Sequence, residues 1–220
     1  MATSSLDDLD LVIRTMAKTI VDNADYFAQL DSIVGDGDFG YSLRNGWEVV
    51  LSDYDSWDRP TTGAVLKKIG MTLAAKVGGV SGPMWGTAFL RAGVTAGDKE
   101  ELTPADVIEM LRAAIAGIML RGGASLGDKT LLDALAPVTD SLEASFADPA
   151  TFADHGTAAI QRAADVAVKA AEDTKGMLAL RGRAAYTGER SRDSVDAGAT
   201  AIGVILQAIA AAWRDQHGTK

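Results

Sequence analysis

The run VIEMLRAAIAGIMLRGGASLGDKT, residues 107–130, decides the fold. Val107, Met110, Leu111, Ala114, Ile115, Ile118 and Met119 recur at steps of three and four, the spacing that lines one face of a helix. Three glycines, Gly122, Gly123 and Gly127, then end the pattern inside ten residues. Outward from this run the same spacing returns on both sides. Leu6, Leu9, Val12, Ile13, Met16 and Ile20 show it near one end, and Ile202, Ile205, Leu206, Ile209 and Trp213 near the other. No segment alternates strictly over strand length, and no Asn-Gly or Asp-Gly turn joins two β-branched runs. The spacing predicts an all-α chain of eight helices, near 5–29, 39–53, 61–77, 83–95, 104–121, 129–146, 150–175 and 197–215, in one domain over 1–220.

The breakers between these helices are of two kinds, and the kinds alternate. SDYDSWDRPTTG (52–63), AGDKEELTP (96–104) and ADPA (147–150) are polar and carry proline. GDGDFG (35–40), GGVSGPMWG (78–86), RGGASLGDKT (121–130) and RGRAAYTGERSRDSVDAGA (181–199) are rich in glycine. In an up-and-down bundle every second connection falls at the same end. The four glycine-rich loops are therefore expected to meet at one end, where bare backbone N–H groups can approach an anion. Taken singly, each such loop is equally well read as a helix C-cap.

Composition narrows what that end can bind. Acidic residues outnumber basic ones by 30 to 21, for a formal charge of −9, so no basic stripe exists for a nucleic acid. A small phosphorylated ligand is compatible, given metal ions or backbone donors to hold it. The chain has no cysteine, which excludes disulfides and thiolate metal sites. A hydrophobic content of 47% with only 6% aromatics rests on Ala, Leu, Ile and Val and favours helix. MATSSLDDLD lacks a basic segment followed by an apolar run, and no stretch nears ~18 consecutive apolar residues, so a soluble cytoplasmic protein is expected.

The loop 30–40, LDSIVGDGDFG, matches G-x-G-x-x-G in form only, because helix rather than strand precedes it. An EF-hand is excluded as well, since its bidentate Glu would fall at Trp47. What remains is Asp31, Asp36 and Asp38 close together, a costly group of like charges unless a cation lies between them. Asp36 or Asp38 could instead cap the next helix. RGGASLGDKT misses a P-loop because Asp128 intrudes and no strand precedes it, although a helix starting near Lys129 and Thr130 would offer N–H groups to phosphate. Asp128 itself reads as an N-cap. Arg181, Arg183 and Arg190 form the densest basic cluster, which is either a solvated face or a partner for phosphate or for the aspartates. His155 and His217 read as surface residues outside the loops.

As a set, IVGDGDFG, MTLAAKVGGVSGPMWGT (71–87), RGGASLGDKTLLDAL (121–135) and GRAAYTGERS with DAGA (182–199) resemble the nucleotide-binding L subunit (DhaL) of bacterial dihydroxyacetone kinases. The resemblance spans essentially the whole chain. It implies an eight-helix antiparallel barrel that binds ADP or ATP with two Mg²⁺ ions at the loop end. Asp31, Asp36 and Asp38 would be the metal ligands. Phe39, Gly40, Tyr41, Ser42, Val80, Ser81, Gly122, Leu131, Arg183, Asp196, Ala197 and Gly198 would contact nucleotide, with Arg183 acting on the transferred phosphoryl group.

By the same resemblance the ketose is held covalently by a histidine of a separate sugar-binding (DhaK-type) subunit, so this chain would be half of a kinase, with no nucleic acid or membrane as partner. Phe39 and Ala197 depart from the family's usual His or Thr and Pro. They leave two donors open: exchanging ATP, or a phosphohistidine protein of the phosphotransferase system (DhaM-type) that recharges bound ADP. The substrate would be dihydroxyacetone or a relative such as erythrulose. A fatty-acid-kinase nucleotide domain and a non-catalytic helical adaptor are the competing readings.

Overall fold

Helix α6, Pro104–Gly122, contains most of the deciding run, and both of its ends follow from local sequence. Thr103 and Asp106 form a capping box: the Thr103 hydroxyl accepts from the Asp106 N–H at 3.2 Å, and the Asp106 carboxylate accepts from the Thr103 N–H at 2.7 Å. Such a cap contributes about 1 kcal/mol, and Pro104 at the first position loses no hydrogen bond it could have made. At the other end Gly123 takes φ 59°, the left-handed turn that closes a helix. Between them Ile108, Ala114, Ile115 and Ile118 are buried.

The computed structural model describes residues 5–148 and 156–218. Its other helices are α1 (Ser5–Asp22), α2 (Ala24–Ser32), α3 (Phe39–Asp53), α4 (Thr62–Lys76), α5 (Ser81–Ala96), α7 (Leu132–Phe146), α8 (Thr157–Asp173) and α9 (Ala197–His217). Among the described residues no strand occurs.

Three expected boundaries need correction. The helix expected over 5–29 is two helices, broken at Asn23, whose side-chain amide donates to the Thr19 carbonyl at 2.8 Å. The same carbonyl accepts the Asn23 N–H at 3.1 Å, so side chain and backbone share one acceptor at the break. The helix expected from 129 begins only at Leu132, and the 181–199 stretch holds a 3₁₀ segment, Arg183–Asp193, kinked at Gly188. The start expected at 150 lies outside the described residues.

Each helix packs on its neighbours in sequence, and α1 also packs on α9, so the ring closes. The α1–α2 pair acts as one broken stave of an eight-stave barrel. Glycine sets the closest approach. A Cβ added to Gly70 of α4 would stand 2.8 Å from the Gly86 carbonyl of α5, and one on Gly86 would stand 2.8 Å from the Gly70 carbonyl. Phe27, Trp47, Ile69, Leu73 and Ile205 are fully buried. Along the axis lies an apolar hollow of about 480 Å³, lined among others by Met16, Phe89, Val107, Ile205 and Trp213.

α9 is long and apolar enough to cross a membrane by length and composition alone. It buries Ala199, Ile202, Ile205 and Ile209 and packs against α8 and α1, as a core helix does. The end remote from the glycine loops is closed by His217, stacked on Trp213 at 4.4 Å, with Nε2 3.2 Å from Asp8. His155 and His217 were both expected at the surface, and His155 lies outside the described residues. The His217 side chain is 5% exposed, because α9 continues to residue 217 and brings it onto α1.

Candidate functional site

The four glycine-rich loops meet at one end and touch in a ring. Ser42 Oγ is 2.9 Å from where a Cβ on Gly78 would stand, which joins the first loop to the second. A Cβ on Gly122 would meet Met84 Sδ at 3.1 Å, so the third loop lies against the helix that follows the second. Leu131 and Gly198 bring the third loop to the fourth, at 3.2 Å for a Cβ on Gly198. Arg183 closes the ring on the first loop by an ion pair with Asp36, with Asp38 3.5 Å from the same nitrogen.

Asp31 stands on the last turn of α2, where its carboxylate accepts the Gly37 N–H at 2.9 Å. Gly37 has φ 74°, and that left-handed turn folds Asp36 and Asp38 back over Asp31. One oxygen from each of the three carboxylates lies within 4.8 Å of the others. Asp38 occupies the N-cap position of α3 yet makes no side-chain cap bond, so its oxygens are not consumed by the helix. Three convergent hard oxygen donors suit Mg²⁺. The arrangement fits a divalent ion better than the capping alternative.

The expected nucleotide residues divide into two groups. Tyr41, Val80, Gly122 and Arg183 are exposed on the ring, and Ser42, Ser81, Ala197 and Gly198 are partly so. Phe39 and Gly40 face inward. The Phe39 ring packs on Phe27, 6.3 Å between centroids, and belongs to the core. Gly40 is buried because a Cβ there would run into the Ala24 carbonyl of α2. These two position α3: the half-buried Phe39 ring is turned onto the core, and Gly40 has no side chain to offer the ring. Leu131 is half-buried between two parts of the core and also edges the axial hollow.

Sequence reading misassigned the third loop. Thr130 offers no N–H to a ligand, since it donates to Asp133 at 2.7 Å, as does Gly127. Asp128 caps no helix. Its carboxylate accepts from the Ser125 N–H at 2.9 Å and from Arg181 Nε at 2.8 Å. Arg181 is thereby removed from the set available to a ligand. Asp196 does cap α9, accepting from the Ala199 N–H at 2.7 Å, and burial pushes its carboxyl up to about 6. Lys129, which drew no functional reading beyond its backbone, is 3% exposed, and burial lowers its ammonium pKa. Lysine is almost never covered so fully without a structural reason, but its partners lie 48 to 65 residues away.

Residues 33–211 match the model of the DAK2 domain. The chain belongs to the DAK2 domain family. Within the DAK2 domain the matched span takes in Asp36, Asp38, Arg183 and Asp196, while Asp31 stands just before it. The ADP-binding subunit DhaL of the PEP-dependent dihydroxyacetone kinase of Escherichia coli is 35% identical, over 87% of this chain and 90% of that protein. The D-erythrulose kinase of Mycolicibacterium smegmatis is 33% identical over 89% of this chain, which spans 33% of that longer protein. The dihydroxyacetone kinase of C. freundii, solved in complex with AMP-PNP and Mg²⁺, superposes with a TM-score of 0.70 at 26% identity. That likeness covers 96% of this chain and 34% of the other, whereas the Escherichia coli subunit is matched over 90% of its length.

Proposed function

We propose that this DAK2-family chain, a single domain over 1–220, is the magnesium-dependent ADP- or ATP-binding subunit of a kinase for dihydroxyacetone or a similar small ketose. The observation that carries this is the ring itself: three convergent carboxylates face an arginine across four loops, in a chain that matches an ADP-binding kinase subunit over nearly its full length.

Asp31, Asp36 and Asp38 would hold Mg²⁺, two ions by family resemblance. When bound, the metal neutralises phosphate charge. The chain's own residues do the rest. The Gly37 N–H fixes the Asp31 carboxylate, so the acidic loop is organised in advance. Arg183 brings a permanent positive charge to the rim, placed to offset charge on a transferring phosphoryl group. The first turn of α9, at Ala197 and Gly198, stands at the ring beside Leu131, held there by the Asp196 cap. Exposed Val80 and half-buried Leu131 give apolar surface for a base, with Tyr41, Ser42, Ser81 and Gly122 along the rim. Phe39 and Gly40 contribute through backbone only.

The sugar would be presented by a separate subunit of the DhaK type. The donor would be ATP or a phosphohistidine protein of the DhaM type, and the reaction would be cytoplasmic. An adaptor would need neither convergent carboxylates nor the facing arginine, and the relatives named as kinases favour transfer over a fatty-acid-kinase or adaptor role. Calorimetric titration of ADP with and without Mg²⁺, followed by addition of a sugar-binding subunit, tests the reading. Metal-dependent binding and partner-dependent transfer are expected. Binding indifferent to metal rejects it.

A further inference from the structure

Lys129 is a buried charge that the proposed transfer does not use. Among the described residues it is the one non-glycine residue with positive φ, at 63°, a conformation unfavourable to any side chain with a Cβ. The backbone holds that conformation where the side chain has definite work. Its ammonium donates to the Ser194 carbonyl at 2.6 Å, to the Met177 carbonyl at 3.3 Å and to the Ser191 carbonyl. Three acceptors match the three protons of an ammonium group. These carbonyls lie at the two stems of the segment 177–194, which carries Arg183 between them.

The neighbouring bonds have the same layout. The Leu180 N–H donates to the Asp128 carbonyl at 3.0 Å, and the Ala179 N–H donates to Ser191 Oγ at 3.0 Å. Both stems are thus pinned beside residues 128 and 129. The tip between them bends at Gly182 and Gly188, each with positive φ, and reaches the acidic loop through Arg183. A tip with two such hinges aims a side chain only if its stems are fixed.

We infer that Lys129 is the positioning residue for Arg183: one buried ammonium clamps both stems of the 177–194 segment and so aims the guanidinium at the acidic loop. The inference rests on the kinase reading for its consequence in catalysis, but the clamp can be tested apart from it.

Lys129→Met keeps the apolar stem of the side chain and deletes the donors. Trypsin cleavage after Arg183 and Arg190, followed by mass spectrometry on the full chain, reports how often the segment opens. Roughly tenfold faster cleavage is expected while the melting transition stays cooperative, because cleavage follows the population of the open form. With the sugar-binding subunit added, transfer by Lys129→Met should fall towards that of Arg183→Ala. The double variant should be no slower than Arg183→Ala, since two residues acting as one unit are not additive. Mg²⁺-ADP affinity should stay within a few-fold of the parent.

Unchanged cleavage, or losses that multiply in the double variant, would overturn the inference. Should Lys129→Met not fold, Lys129→Gln, which retains a donor, is measured in its place. If neither folds, Lys129 supports the whole domain and not the segment, and the inference fails. Failure of the kinase reading would appear differently, as absence of transfer in the parent protein, with the cleavage comparison still deciding the clamp.

Discussion

Arg183 and Asp36 sit far apart in sequence but share an ion pair across the loop ring, with Asp38 3.5 Å from the same guanidinium nitrogen. The arginine therefore draws on carboxylate oxygens that a divalent cation would also use. Substituting it should have opposite effects on two measurements. Exposed ion pairs are worth about 0.2–1 kcal/mol, so Arg183→Ala should raise Mg²⁺ affinity in the absence of nucleotide by up to about fivefold. The same change should lower phosphoryl transfer by ~10³-fold or more, if the guanidinium acts on the transition state. Calorimetry with Mg²⁺ alone and a coupled assay with the sugar-binding subunit give the two numbers. Equal or weaker Mg²⁺ binding would show that arginine and metal do not compete.

Metal dependence of nucleotide binding follows from the Asp31, Asp36 and Asp38 cluster. Nucleotide at ~100 times its Kd adds about 2.7 kcal/mol, and a chain of this size gains ~2–4 °C per kcal/mol. A melting shift of roughly 5–10 °C with Mg²⁺-ADP is expected after bound nucleotide has been removed. EDTA should abolish it, and so should Asp36→Asn. A shift that survives EDTA would remove the aspartates from the site.

Asp196 makes stability depend on pH. Its folded pKa, about 6, lies above the ordinary value of 3.8 because burial penalises the charged form. A raised folded pKa favours the folded state below the unfolded pKa, and that contribution is lost as pH rises through the folded one. Stability should therefore fall between about pH 4 and 6 through this residue. Asp196→Asn retains a capping oxygen without the charge. The variant should melt higher than the parent at pH 7, by an amount of order 1–3 kcal/mol, and lose the advantage near pH 4. Thermal melts across that range decide it. No difference at pH 7 would mean that the carboxylate is adequately solvated where it stands.

The isolated chain should phosphorylate no free ketose. Its ring presents three carboxylates and an arginine, and among the described residues no histidine stands at that end. An acceptor hydroxyl must be brought in line by a protein docking over the loops. Turnover should appear when a sugar-binding subunit is added, and assays with dihydroxyacetone and erythrulose, under both donors, would identify the substrate and donor. Robust turnover of dihydroxyacetone and ATP by the purified chain alone would contradict the division of labour proposed for it.

The barrel was legible because helical spacing and two alternating kinds of breaker are local signals, and alternation alone places Gly35, Gly79, Gly123 and Gly182 at one end. The acidic loop was legible for the same reason, since its three aspartates fall within eight residues. What escaped was long-range or unmarked by glycine and proline. The first helix breaks at Asn23, where the side-chain amide and the backbone N–H share the Thr19 carbonyl. Asp128 resembled a cap until Arg181 arrived from fifty-three residues away. Gly40 looked like a residue that lets a ligand approach, whereas it lets α2 approach α3. Sequence shows that a glycine is needed, but not what comes near it.

Closure of the barrel by α1 against α9 has a topological consequence. Asp8 and His217 lie side by side at the end opposite the ring, so both ends of the described chain leave from the same remote face. A longer polypeptide can carry this barrel from either terminus without crossing the loops, in keeping with its likeness to about a third of longer kinases. The neighbouring ends also make the fold a natural subject for circular permutation. A short linker joining the two ends, with new termini opened in the turn after Gly97, would rewrite the order of the staves and leave each of the four glycine loops uncut.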